Sequence, residues 1–188
     1  MGIGYNELCF LKHVHKTNGK FGTVALIGRQ SIAIDKKNQE KILGTSYSGY
    51  CEKLLIEQFG ASKVDSYDVN DYENSTHIFD FNLPFDSKEK YDCVIDFGTL
   101  EHIFDIKTAL INIFNLTKIN GSIMHANPVN MYPGHGLYQF GLDFYSSYYK
   151  NKCFKDLRIF LANYEKQKNY WFELIDNRVG AERFIFSD

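Results

Sequence analysis

Histidine accepts a proton near neutral pH without extensive tuning, and two of the six in this chain stand where that ability could be used. His102 follows Glu101 directly after the run Tyr91-Asp-Cys-Val-Ile-Asp-Phe-Gly98. His135 lies between Gly134 and Gly136, glycines that predict an unusual backbone path with the imidazole held out over a crevice. Glu101 is placed to orient a histidine or to bind a hydroxyl. Together these types suit general base chemistry, the removal of a proton from a hydroxyl nucleophile. Each has a plainer reading as well. Glu101 is favourable in the first turn of any helix, His102 can be a packed or solvent residue, and Gly134-His135-Gly136 can be a surface turn.

The elements that must position these groups are legible in the hydrophobic pattern. Tyr91–Phe97 reads as a buried strand around the apolar run Cys93-Val94-Ile95, Gly98 as its terminating turn, and a 3.6-period stripe from Leu100 through Leu116 as a helix over residues 100–117. Upstream, Asn6–Lys16 reads as a lead helix and Thr23–Gly28 as a buried first strand. Residues 31–47 read as an extended polar loop, and Ser48–Phe59 as a helix closed by Gly60. Lys63–Val69, Thr76–Phe81 and Ser122–Ala126 supply further strands. Strands alternating with helices predict an α/β fold, a Rossmann-like, doubly wound and mainly parallel sheet flanked by helices. The tail, residues 157–164 and 171–186, offers two strand-like stretches that fit an antiparallel edge strand near the C-terminus. The tip of such a sheet is where ligands bind.

With 188 residues, 44% of them hydrophobic and 16% aromatic, the chain has enough apolar material for one domain with a proper core. A net charge of −2 without a Lys/Arg block gives no electrostatic reason to bind nucleic acid or anionic membrane. No apolar run approaches the roughly 18 residues of a spanning helix and no secretory signal is recognisable, so a cytoplasmic protein is expected. The four scattered cysteines lack a C-x-x-C pair and read as free thiols. No metal site is expected, because His13 and His15 point in different directions on a helix, while His77 and His125 read as hydrogen-bonded core groups. The sequence leaves the oligomeric state open. Tyr132, Tyr138, Tyr145, Tyr148 and Tyr149 form either an aromatic wall for a sugar or nucleotide, or plain core.

Four stretches, in order, carry a family resemblance: Leu26-Ile-Gly-Arg-Gln30; Tyr50-Cys-Glu52 with Val64-Asp-Ser-Tyr-Asp68; Asp80-Phe-Asn-Leu-Pro84 through Gly98-Thr-Leu-Glu-His102; and Gly134-His-Gly-Leu-Tyr-Gln-Phe140. On them the chain resembles class I S-adenosylmethionine-dependent methyltransferases. It is more closely similar to methyltransferase-like proteins of bacterial surface-polysaccharide gene clusters. The resemblance implies one domain over residues 1–188, with the lead helix at 6–16, a cofactor half at 23–126 and a substrate-side segment at 127–188. It implies a cofactor turn at Gly28, Arg29 and Gln30, with Arg29 able to pair the methionine carboxylate. Asp68 is implied at the ribose hydroxyls, Asp80 with Phe81 at the adenine, and Phe97, Gly98 and Thr99 along the adenosine and methionine. Thr99 is also a candidate helix cap.

His102, His135 and Glu101 are then the catalytic candidates, with Asn127, Asn130 and Tyr138 toward the substrate. The implied activity is O-methylation of a hydroxyl on a sugar, nucleotide sugar or related glycan precursor, leaving S-adenosylhomocysteine. The chain departs from the family's G-x-G-x-G turn, keeping only Gly28, which motivates an alternative: a methyltransferase-like binding protein without catalysis. A nicotinamide enzyme fits less well, since G-x-G-x-x-G is absent and Asp68 lies too far beyond Gly28 for that fingerprint.

Overall fold

A computed structural model describes residues 2–150, 154–165 and 168–174 of the chain. Its elements in chain order are β1 (Gly2–Ile3), α1 (Tyr5–Asn18), β2 (Gly22–Ile27), β3 (Ser31–Ile32), α2 (Lys36–Leu43), α3 (Glu52–Phe59), β4 (Ala61–Asp68), β5 (His77–Ile78), β6 (Tyr91–Phe97), α4 (Ile106–Leu116), β7 (Thr117–Ala126), α5 (Asp143–Tyr149), β8 (Ile159–Glu165) and β9 (Lys168–Leu174). Chain contacts divide it into one unit over Met1–Gly141 and another over Leu142–Asp188. Residues 127–141, expected in the substrate-side segment, belong with the first.

The first unit is built on a five-stranded sheet of order β5-β4-β2-β6-β7, every pair parallel. The central strands can run apolar without alternation because both faces are covered. Val24, Leu26, Cys93, Ile95 and Phe97 join Leu8 and Leu11 of α1 and Leu54, Leu55 and Phe59 of α3 in one core. Alternation along a strand turns Ala25, Ile27, Val94 and Asp96 to the opposite face. On α4, Ala109, Leu110, Ile113 and Leu116 form the buried stripe of a helix that packs on β6 and β7. Each fully buried Leu or Ile contributes about 1.5–3 kcal/mol.

The winding direction creates the crevice. From β2 the chain moves through β4 to β5, then returns to the other side of β2 for β6 and β7. The reversal falls between β2 and β6, and a sheet of this kind opens at the carboxyl ends of the two strands that flank its reversal. Those ends are Ile27 and Phe97, each followed by a glycine in the left-handed region, Gly28 at φ 76° and Gly98 at φ 83°. A side chain is strained there, so glycine is the residue that lets both strands turn at the crevice.

At the opposite end of the same two strands, the Asp92 carboxylate accepts from the Thr23 amide (2.8 Å), the Thr23 hydroxyl (2.7 Å) and Lys118 Nζ (3.0 Å). These bonds, the Thr23 pair first, hold its pKa down at about 2. A depressed carboxylate stabilises the fold above its unfolded pKa of about 3.9, and that contribution is lost as pH falls toward 2. Urea unfolding across pH 6 to 2 should therefore show wild type losing more stability than Asp92→Asn. Parallel curves would contradict the assignment.

Several elements differ from expectation. The loop of residues 31–47 contains α2, capped at Asp35, whose carboxylate accepts the Asn38 amide (3.0 Å), and ended by Gly44. The 100–117 helix is two pieces: a 3-10 turn at Leu100–His102, then α4, whose own start is made by Asp105 accepting from Thr108. The break leaves Phe104 76% exposed, not part of the stripe. The third strand shrinks to the two residues of β5. The fifth begins early, at Thr117. After the Asn120-Gly121 turn, where Asn120 has φ 64°, its pairing resumes at Ser122 opposite Cys93.

In the second unit, antiparallel pairing appears as a β8-β9 hairpin forming a two-stranded sheet of its own, with Ile159 opposite Leu174. Residues 175–186 of the expected tail strand lie outside the described residues. Cys9, Cys51 and Cys93 are free thiols as read. Burial pushes Cys93 up to about 12 and Cys51 higher, so neither is a ready nucleophile. No helix among the described residues is long and apolar enough to cross a membrane.

Candidate active site

Two groups of residues gather at the carboxyl end of the sheet, one on each side of the reversal. On the β2-β4 side an open pocket of about 220 Å³ is lined by Gly28, Arg29, Asp68, Asn70, Tyr72 and Glu73. Asp68 ends β4, and one of its oxygens accepts its neighbour's amide at Val69 (2.7 Å). Arg29 is heavily engaged. Its Nε donates to Glu52 Oε1 (2.7 Å), its Nη1 to the carbonyls of Glu73 (2.5 Å) and Asn74 (2.9 Å), and its guanidinium lies 3.8 Å from the Tyr50 ring centre. Gln30 is fully buried. Its amide donates to the Gly28 carbonyl (3.2 Å), while Oε1 has no hydrogen-bond partner, an orphan acceptor beside the turn.

Asp80 and Phe81 behave differently. Asp80 Oδ1 accepts both the amide and the side-chain nitrogen of Asn82 (2.9 and 2.7 Å), the Asx-turn role open to any loop aspartate. Phe81 is buried in an aromatic cluster, edge-on to Tyr67 (6.0 Å) and Phe79 (5.4 Å). Phe97 likewise turns into the core, 5.9 Å from Phe10. Thr99 caps nothing. Its hydroxyl donates across the reversal to the Ile27 carbonyl, tying the two strand ends together.

The second group sits over β6 and β7. Glu101 is 1% exposed, and Oε2 of its carboxylate accepts from Asn127 Nδ2 (2.9 Å) while Oε1 faces His135 Nε2 at 3.5 Å. Burial raises its pKa, opposed by the Asn127 bond. The His102 and His135 rings meet edge to face at 5.1 Å, and Tyr132 approaches His135 at 5.8 Å. The loop bearing His135 is fastened to the same residue: the amides of Leu137 (2.6 Å) and Tyr138 (3.1 Å) donate to the Glu101 carbonyl. Gly136 permits this approach, because a Cβ there would lie 2.8 Å from that carbonyl oxygen.

The three catalytic candidates are thus brought together; His135 lies on an exposed glycine-flanked turn, as its plainer reading has it, and that turn is clasped to Glu101. Asn127 holds Glu101. Tyr138 donates its hydroxyl to the Phe104 carbonyl (2.9 Å), and Asn130 is exposed. Of the five tyrosines, Tyr132 and Tyr138 belong to the first unit and the other three to the second.

Sequence reasoning missed Asp96. It is fully buried; Oδ1 accepts the Thr99 and Leu100 amides (3.1 Å each), doing the capping expected of Thr99, and Oδ2 lies 2.9 Å from His125 Nδ1. Because a carboxylate only accepts, the His125 proton is fixed on Nδ1. His125 is the hydrogen-bonded buried group its strand position suggested. A carboxylate inside the apolar run Cys93–Phe97 was itself a signal, since a buried charge must be paired. Comparison of the chain with family models and with curated proteins finds no match.

Proposed function

We propose that the chain is an S-adenosylmethionine-dependent O-methyltransferase that acts on a hydroxyl of a sugar, nucleotide sugar or related glycan precursor, and that it works in the cytoplasm, where free thiols persist. One observation carries the reading most: a carboxylate-lined pocket at the tips of β2 and β4 faces the sheet reversal opposite a buried Glu101 with two imidazoles. The residues fit the cofactor in part. Gly28 and Gly98 bring bare backbone to the crevice, Gln30 offers an unmatched acceptor, and Asp68 suits a ribose diol, whose hydroxyls donate well to a carboxylate. Phe81 is buried in its aromatic cluster, and Asp80, with Oδ1 held by Asn82, keeps Oδ2 for the adenine amino group.

Bound S-adenosylmethionine supplies an electrophilic methyl group. This chain's residues orient the acceptor and take its proton. Glu101, steadied by Asn127, faces the imidazole of His135, which accepts the proton of the substrate hydroxyl. His102 beside it narrows the approach. Positioning of this kind supplies much of the acceleration in a transfer reaction.

The reading without catalysis draws support from Arg29, whose bonds to Glu52, Glu73 and Asn74 already satisfy much of its guanidinium. Titration calorimetry with S-adenosylmethionine, S-adenosylhomocysteine and an NAD control separates these readings. Sulfur-cofactor binding should be weakened about 10- to 100-fold in Asp68→Asn, the loss of a charge-assisted hydrogen bond. Binding of neither sulfur compound would favour the non-catalytic reading.

A further inference from the structure

We propose that Glu101, His102 and His135 form a binding site for a zinc-class divalent metal ion, with Asn127 as the outer group that orients the carboxylate. The three side chains each present a donor atom within 4.8 Å of the other two. The tightest pair is informative. His135 Nε2 and Glu101 Oε1 are 3.5 Å apart, longer than a good hydrogen bond, which lies at about 2.7–3.2 Å. Two donors bound at about 2.1 Å to one tetrahedral ion stand about 3.4 Å apart. The spacing therefore suits a shared cation, and the exposed His102 ring offers a third donor within 4.8 Å of both.

The rest of the architecture fits a ligand set more than a chance cluster. The carboxylate is 1% exposed, and its two oxygens have separate tasks: Oε2 is taken by Asn127 Nδ2 at 2.9 Å, while Oε1 faces the imidazole. Metal-binding carboxylates characteristically carry such an outer hydrogen bond. His135 comes from a loop more than thirty residues away in sequence, yet its backbone is clasped to Glu101 through Leu137 and Tyr138, with Gly136 allowing the contact. Two imidazoles and one carboxylate are the protein ligands of several catalytic zinc centres, and three such ligands leave a fourth position for an oxygen. A hydroxyl held there is acidified by the ion, the task assigned above to the bare imidazole. The site stands independently of which cofactor the crevice takes.

A second trio, Asp65, His77 and Glu89, also has its donors within 4.8 Å. There Lys63 Nζ pairs with both carboxylates and repels a cation, so that trio serves as the control. The test uses untagged protein dialysed against a chelator, then titrated with zinc by calorimetry and with cobalt(II) by visible absorption. The expected result is one ion per chain, a cobalt spectrum of low-coordinate type, and loss of both in His102→Ala and in His135→Ala. His77→Ala should bind as wild type, and Asn127→Ala about 10- to 100-fold more weakly. Both histidines are exposed, so the variants are expected to fold, checked by circular dichroism. A variant that unfolds is replaced by the corresponding Gln. No saturable binding to wild type, or binding that survives both His102 and His135 changes, would overturn the site.

Discussion

Asp96→Ala is expected to destabilise the first unit by about 3 kcal/mol or more, because it removes the shared acceptor of three buried hydrogen bonds. The carboxylate is fully buried and receives three donors: the Thr99 amide, the Leu100 amide and His125 Nδ1. Alanine leaves all three without an acceptor, and each orphaned buried group costs about 1–3 kcal/mol. Asn keeps one acceptor of similar shape and should recover part of the loss. Urea unfolding of wild type, Asp96→Ala and Asp96→Asn measures this. A loss below about 1 kcal/mol for alanine, the net worth of one ordinary hydrogen bond, would mean that the Asp96 network does not hold the turn into Glu101.

The second large effect concerns turnover. His135→Ala should lower methyl transfer to a glycan-precursor acceptor by about 10²- to 10⁴-fold, the range general base catalysis supplies. Its affinity for S-adenosylhomocysteine should stay unchanged, because the imidazole lies on the β6-β7 side of the reversal while the pocket of Asp68 lies on the β2-β4 side. Asp68→Asn should show the converse split, with weakened cofactor binding and an intact proton acceptor. Single-turnover methyl transfer beside calorimetry separates the two. A His135→Ala variant with wild-type turnover would remove the histidine from the mechanism.

Where sequence and structure agree, the reason is long-range packing that leaves a local trace. β6 was legible to the residue because the apolar run Cys93-Val94-Ile95 with Phe97, buried on both faces, stops at Gly98. α2 was not, because Lys36–Leu43 is mostly polar and only Gln39 among its residues is buried; its identity lay in the caps, Asp35 and Gly44, which a search for periodicity overlooks. The 100–117 stripe concealed a break because the apolar period continues through Ile103 and Ile106, while Asp105 restarts the helix by capping Thr108.

The gathering of Glu101, His102 and His135 was legible in part. The glycines around His135 announced an unusual path, but the clasp that brings it to Glu101 consists of backbone bonds from Leu137 and Tyr138, and any residue type supplies those. Asn127 reads as a substrate contact, and its hold on Glu101 is a further role, distinct from that one. That distinction depends on which side chain lies opposite, and the spacing of residues along the chain does not encode it.

The central claim is that the reversal between β2 and β6 receives an adenosyl cofactor. The most direct test is a titration of ¹⁵N-labelled protein with S-adenosylhomocysteine, followed by amide chemical shifts. The claim predicts saturable shifts centred on Gly28, Gly98, Thr99 and Asp68, with the amino-end residues Thr23 and Asp92 unmoved. Shifts absent from both glycines, or confined to the far end of the sheet, would contradict it.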